Sequence, residues 1–128
     1  MKSITTRNAE MIFDEEQRVL HIRMLEGADL DLESTKEHYE AIKKITTAGK
    51  YLALIDAKEY FTMTTEALEY ASLPEVIAQR IATAHYRPTP ANRITTNFFR
   101  KSYRPELPVE VFESKEEALE WLMKQEKN

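Results

Sequence analysis

Tyr51-Leu52-Ala53-Leu54-Ile55-Asp56 is an unbroken apolar run closed by a carboxylate. A strand with one wet face alternates apolar and polar residues, so a run apolar at every position must be covered on both faces. The run therefore predicts a central strand in a mostly parallel sheet, with helices packed on it. Upstream, apolar-rich segments from Ala9 to Asp14 and from Arg18 to Leu25 flank the polar Asp14-Glu15-Glu16-Gln17. In the second segment Leu20, Ile22 and Met24 alternate with Val19, His21, Arg23 and Leu25, which makes one face wholly apolar. That is the pattern of an antiparallel β-hairpin. Leu32, Tyr39, Ile42 and Ile45 then recur at helical spacing as an inward face. Asp31 or Ser34 is placed to cap the start of this helix, and Gly49 sits just past its end.

Downstream of the central run, Thr64-Thr65-Glu66-Ala67-Leu68 opens a shorter helix, with glutamate in the first turn where the helix dipole favours it. Pro74 starts a second helical piece reaching Gln79, and Ile81 to Tyr86 reads as the next strand. Thr89-Pro90 is a helix start with Ala91, Ile94 and Phe98 inward. Pro105 and Pro108 bracket a break, and Val109 to Phe112 is a short strand. Ser114 with Glu117 forms a capping box for a last helix burying Ala118, Trp121 and Leu122. The order ββαβαβαβα predicts an α/β fold, a layered domain spanning 1–128 with a mostly parallel sheet and an N-terminal antiparallel hairpin. A length of 128 residues suits one hydrophobic core.

Composition removes several functions. There are two glycines, Gly27 and Gly49, whereas phosphate-cradling loops and dinucleotide fingerprints need several. Cysteine is absent, which rules out disulfides, thiolate nucleophiles and zinc–thiolate clusters. His21, His38 and His85 are widely separated and match no metal-binding spacing, so neither a metal site nor a cofactor is expected. No apolar run approaches the ~20 residues needed to span a bilayer. The opening Met1-Lys2-Ser3-Ile4-Thr5-Thr6-Arg7 leads into no apolar leader segment, so a cytoplasmic location is expected.

The strand Leu52–Asp56, the helix opening at Thr64-Thr65 and the closing Val111-Phe112-Glu113-Ser114-Lys115-Glu116-Glu117-Ala118-Leu119-Glu120-Trp121-Leu122 together resemble the SpoIIAA-like branch of the STAS superfamily, the anti-sigma-factor antagonists and their relatives. As an order of elements the resemblance covers roughly residues 9 to 126. It implies a bacterial regulatory module that binds a protein partner and is not an enzyme. In that family an aspartate-serine pair opens the helix after the central strand, and a partner kinase phosphorylates the serine. Here Thr64 stands in place of the aspartate and Thr65 in place of the phosphoacceptor, and the glycine that often follows is missing. Both threonines also suit plain helix capping.

Charge is unevenly spread. Between Val76 and Pro105 lie six of the eighteen cations, Arg80, Arg87, Arg93, Arg100, Lys101 and Arg104, and none of the twenty-two acids. Such asymmetry steers an anionic partner to one surface, unless the arginines pair with acids such as Glu110 and Glu113. It also allows a homodimer in which unlike patches meet. Phe98-Phe99-Arg100-Lys101-Ser102-Tyr103-Arg104 interleaves aromatics with cations, but a pI near 5.5 argues against nucleic acid. Arg87, Thr89 and Arg93 gather at a helix start and form a candidate anion site. Tyr60, Phe61 and Met63, in the loop after the central strand, are a candidate surface for a partner or ligand. Two alternatives stand beside the interaction module: a carrier or sensor of a small amphipathic or anionic ligand, and an enzyme using Asp56 and His85 as an acid–base pair.

Overall fold

The central apolar run lies inside a six-stranded sheet. The computed structural model describes residues 2–94, 97 and 108–125. Its strands are β1 (Lys2–Thr5), β2 (Ala9–Asp14), β3 (Val19–Met24), β4 (Ala28–Leu30), β5 (Tyr51–Asp56), β6 (Phe61–Met63), β7 (Arg80–Tyr86) and β8 (Val109–Phe112). The main sheet runs β1-β2-β3-β5-β7-β8, while β4 and β6 pair separately in parallel. Pairs β1–β2 and β2–β3 are antiparallel, and β3–β5, β5–β7 and β7–β8 are parallel. The helices are α1 (Leu32–Ile45), α2 (Thr65–Ala71), α3 (described at 90–94 and 97) and α4 (Lys115–Met123). The N-terminal hairpin and the parallel crossovers are those the sequence predicts. Strands β1, β4 and β6 are additions: β1 is an edge strand with only Ile4 facing the core, and the other two are three residues each.

Residues alternate along β5 between two cores. Tyr51 and Ala53 join Met11, Phe13, Leu20, Ile22, Ile42 and Ile45 beneath α1 and α2. Leu52 and Leu54 join Val19, Ala82, Ala84, Ala118 and Leu122 beneath α4. Right-handed crossovers explain the arrangement, because successive steps in one direction across a sheet leave their helices on one side.

The helix ends show local chemistry. Asp31 and Ser34 share the cap of α1: the Asp31 carboxylate accepts from Ser34 N at 2.8 Å, and Ser34 Oγ accepts from Asp31 N at 3.0 Å. Ser114 Oγ accepts from Glu117 N at 3.2 Å and opens α4. Gly49, by contrast, does not close α1. The helix ends at Thr46, and Thr47 and Ala48 take the left-handed conformation at φ 53° and 56°. Gly49 instead makes room for Arg18, whose Nη2 would lie 2.5 Å from a Cβ there. Arg18 donates from Nε to Lys50 O at 2.8 Å and from Nη2 to Thr46 O at 3.1 Å, bridging the end of α1 and the start of β5.

Three further expectations need correction. Residues 74–79 form successive turns rather than a helical piece, since the chain must bury Ile77 and start β7 at Arg80 within a few residues. Leu32 is 37% exposed, so the inward face of α1 starts at Ser34 and Thr35. In α3 the apolar Ile94 is 76% exposed and Ala91 is exposed, while the polar Asn92 is fully buried. The expected inward Phe98 and the segment Phe98–Arg104 lie outside the described residues.

Leu122 is fully buried and belongs to the core beneath α4. Replacing Leu122 by Ala is expected to cost about 2–5 kcal/mol, read from urea unfolding followed by circular dichroism. A loss below about 1 kcal/mol would mean that α4 does not seal that face.

Candidate functional site

Ligands of open α/β sheets gather beyond the carboxyl ends of the parallel strands, so the ends of β5 and β7 come first. The register sets Ile55 opposite His85 and Asp56 opposite Tyr86. Asp56 therefore faces the α4 side with Leu54 and Tyr86, and His85, one position earlier on β7, faces the α1–α2 side. The expected Asp56–His85 pair is not formed. Asp56 instead accepts from Arg87 Nη2 at 3.0 Å, with Asp56 buried and Arg87 half-exposed. Arg87 adopts a left-handed φ of 54°, and its N donates to Phe112 O at 3.0 Å. A non-glycine residue in that region costs about 1 kcal/mol or more, which these contacts offset. Burial first, and then the Asp56 charge, push the Tyr86 phenol above its ordinary pKa. Asp56 and Tyr86 border a groove of about 280 Å³ that also touches Ile12, Arg23 and Lys115.

The candidate anion site is engaged in structural contacts. Thr89 Oγ1 accepts from Asn92 N at 3.1 Å as a helix cap. Arg93 donates to Glu113 at 2.9 Å, and Arg87 is held by Asp56. Both guanidinium groups thus have carboxylate partners. The residue that organises this end is Asn92, which sequence reasoning missed. Its amide donates to Ala57 O and to Glu59 O, each at 2.7 Å, and its carbonyl accepts from Phe61 N at 3.4 Å. One buried side chain ties α3 to the loop after β5. A lone Asn at a helix start gives no sequence signal of this role.

The loop candidates separate. Phe61 is 7% exposed and packs in the core beneath α1, because pairing of β6 with β4 turns it inward. Met63 is half-buried against the same core, and Tyr60 is 55% exposed. Thr64 Oγ1 accepts from Ala67 N at 3.1 Å, so Thr64 is the cap of α2. Thr65 is the first helical residue and is exposed.

On the α1–α2 side, a polar group lies inside the core. Arg80 is 4% exposed; its Nε donates to Tyr51 Oη at 3.1 Å, and its guanidinium lies 5.6 Å from the Tyr39 ring centroid and 5.4 Å from that of Tyr51. Thr83 Oγ1 accepts from Arg80 Nη1 at 3.5 Å. His38 and His85 are buried beside this cation. Burial, and secondarily the Arg80 charge, push each imidazole down to about 3. Thr35 lies one turn before His38 and is fully buried. Thr35 Oγ1, His38 Nδ1 and His85 Nδ1 have no hydrogen-bond partner. Among the described residues no group of His, Asp and Glu is arranged to hold a metal ion. No helix among them is long and apolar enough to cross a membrane.

Residues 13–126 match the family described as Domain of unknown function (DUF7793), and the chain belongs to that family. No curated protein matches it in sequence. Among solved structures it is similar to an uncharacterized protein of the DUF3478 family with a SpoIIAA-like fold, from Shewanella loihica PV-4. The two share 17% identity at a TM-score of 0.63, over 95% of this chain and 99% of the other. The fold is therefore SpoIIAA-like, as the order of elements indicates.

Two measurements follow from the geometry. Asn92→Ala leaves two carbonyls without their donor and is expected to cost about 2 kcal/mol or more, with faster amide exchange at residues 57–61. Unchanged exchange there would show that Asn92 does not hold the loop. For His38 and His85 the folded value lies below the unfolded 6.5, so the unfolded chain binds more protons between about pH 3 and 6.5. Stability is expected to be level above pH 6.5 and to fall on acidification, by about 2 kcal/mol per histidine at pH 5. Urea midpoints at pH 7 and pH 5 check this, and His38→Leu should flatten the slope.

Proposed function

We propose that this chain is a non-enzymatic, cytoplasmic regulatory module of the STAS type. It binds a protein partner through the segment Tyr60–Thr65. The observation that carries this reading is the division of labour at the carboxyl end of β5. Asp56, Arg87 and Asn92 are committed to holding loops, while the 55%-exposed Tyr60 ring and the exposed Thr65 are turned outward. An exposed tyrosine on a fixed loop is an efficient contact residue, because its large amphipathic ring loses little entropy on binding. Thr64 already caps α2, which leaves the Thr65 hydroxyl available for modification. A phosphate there would sit in the first turn, where the helix dipole favours negative charge. Binding through Tyr60 does not require it. A second reading, a small-ligand carrier, is favoured by one observation: a groove of about 340 Å³ lined by Tyr39, Tyr51 and Tyr70.

Native mass spectrometry of protein purified gently from its host is expected to show a stoichiometric protein partner, or a second copy of the chain. Tyr60→Ala should weaken that association about tenfold or more while leaving the unfolding midpoint in place. No partner above background, for wild type and Thr65→Asp alike, would sink the proposal. An added mass of ~80 daltons on Thr65 would identify the switch.

A further inference from the structure

Strand β1 ends the sheet with half of its backbone unused. Thr6 N donates to Ala9 O at 2.9 Å in the turn that joins β1 to β2, and the register continues from there with Ile4 opposite Met11 and Lys2 opposite Phe13. Antiparallel pairs alternate between bonded and unbonded, so Lys2 and Ile4 bond to β2 while Ser3 and Thr5 turn their N–H and C=O groups outward. The usual guards of such an edge are missing from its middle. The register has no bulge, the strand has no proline, and its one charge, Lys2, lies at the end against Glu15 at 3.7 Å. Above the edge, α1 packs against both β1 and β2. A groove of about 600 Å³ lies there, lined by Ile4, Glu40, Ala41, Lys43 and Lys44. Ile4 and Ala41 are half-buried. Glu40, Lys43 and Lys44 are exposed, and their side chains have no ion-pair partner among the described residues.

We infer that this edge is a homodimer interface, at which β1 of a second copy of the chain adds antiparallel to β1 about a twofold axis beside Ile4. The outward groups set the register. Centred on Ile4, the pairing places Ser3 opposite Thr5 of the second copy and Thr5 opposite Ser3 of the second copy, so every outward N–H meets an outward C=O. Centred on Ser3 or on Thr5, it would leave half of those groups without a mate in the strand. Ile4 then meets Ile4 of the second copy as an unbonded pair, whose side chains lie close together on the α1 side of the sheet. Helix charge supplies the second argument. The twofold axis stands normal to the sheet, so both α1 helices lie on one face and run antiparallel. Because α1 straddles β1 and β2, its axis sits about one strand spacing from the twofold, which sets the two helices about 10 Å apart, within packing reach. Acids come before bases along α1: Glu37 and Glu40, then Lys43 and Lys44. Glu37 is held only by the exposed Arg7, at 3.9 Å. Run antiparallel, the acidic half of each helix meets the basic half of the other, and the small Ala41 allows close approach. The inference goes beyond the partner reading and uses no residue of Tyr60–Thr65.

Sedimentation velocity of the full chain over a concentration series is expected to show a monomer–dimer equilibrium with a dissociation constant of about micromolar order, the weak end for a small interface. Amide exchange read residue by residue should show protection of Ser3 and Thr5 that rises with concentration, while Ile4 is protected throughout. Thr5→Pro removes an outward N–H that the monomer does not use. It is expected to weaken the dimer about tenfold or more while leaving the unfolding midpoint of the dilute monomer in place. The charge-reversed pairs Lys43→Glu with Lys44→Glu, and Glu37→Lys with Glu40→Lys, should each be monomeric alone and form a heterodimer when mixed. A monomer at every concentration up to millimolar overturns the inference. So does a dimer that Thr5→Pro leaves intact, that gives Ser3 and Thr5 no protection, or whose charge-reversed variants fail to pair on mixing. Tyr60→Ala is expected to keep this dimer while losing a protein partner, so failure of the edge and failure of the interaction module are told apart.

Discussion

Strand β5 must be dry on both faces, and the layers around it follow from that demand. Leu52 and Leu54 on one face and Tyr51 and Ala53 on the other are 3% exposed or less. Burying an aliphatic side chain of this size contributes about 1.5–3 kcal/mol, so neither face can be left wet. The α4 layer covers one face, and α1 with α2 covers the other. A strand so placed needs hydrogen-bonded neighbours on both edges, which β3 and β7 provide in parallel. Parallel neighbours in turn require crossovers, and the crossovers are the helices that do the covering. Burial and topology are thus one requirement.

The same demand has a cost at the strand ends. A central strand leads into a loop whose carbonyls begin inside the protein, and these need donors. Asn92 provides two, and the left-handed Arg87 brings its guanidinium back to Asp56. The polar side chains at this end of the parallel strands are thus engaged in holding the fold. On the opposite side of the sheet, Arg80 and its two histidines form an uncommon polar inclusion within an otherwise apolar layer.

Much of the fold was legible because periodicity reports burial directly. The hairpin, α1 and α4 have runs long enough to show a period, and β5 is legible because its run is apolar throughout. Strands β4 and β6 are three residues each and show none, and β1 has one core residue. Residues 74–79 mislead because Pro74 marks a turn as readily as a helix start. In α3, the apolarity of Ile94 predicts an inward side chain, yet Asn92 is inside because the loop carbonyls there need hydrogen bonds more than the layer needs another hydrocarbon. The candidate sites were less legible for the same reason. Arg87 and Arg93 are recognisable as cations, but their carboxylate partners are thirty-one and twenty positions away in the chain. His38, Arg80 and His85 meet only after folding and carry no spacing by which to find them.

The meeting of Arg18 with Gly49 has a consequence in the language of genetics. A methyl group at position 49 would displace the Arg18 guanidinium, and with it the two bonds that bridge the end of α1 and the start of β5. The harm done by a side chain at 49 is therefore set by what stands at 18. With arginine there, alanine at 49 forfeits the cover; with a short residue there, the same alanine meets only an ordinary contact with Thr46 O. The two positions are epistatic, a single locus split across thirty-one residues of chain, and a substitution tolerated at one is a statement about the other.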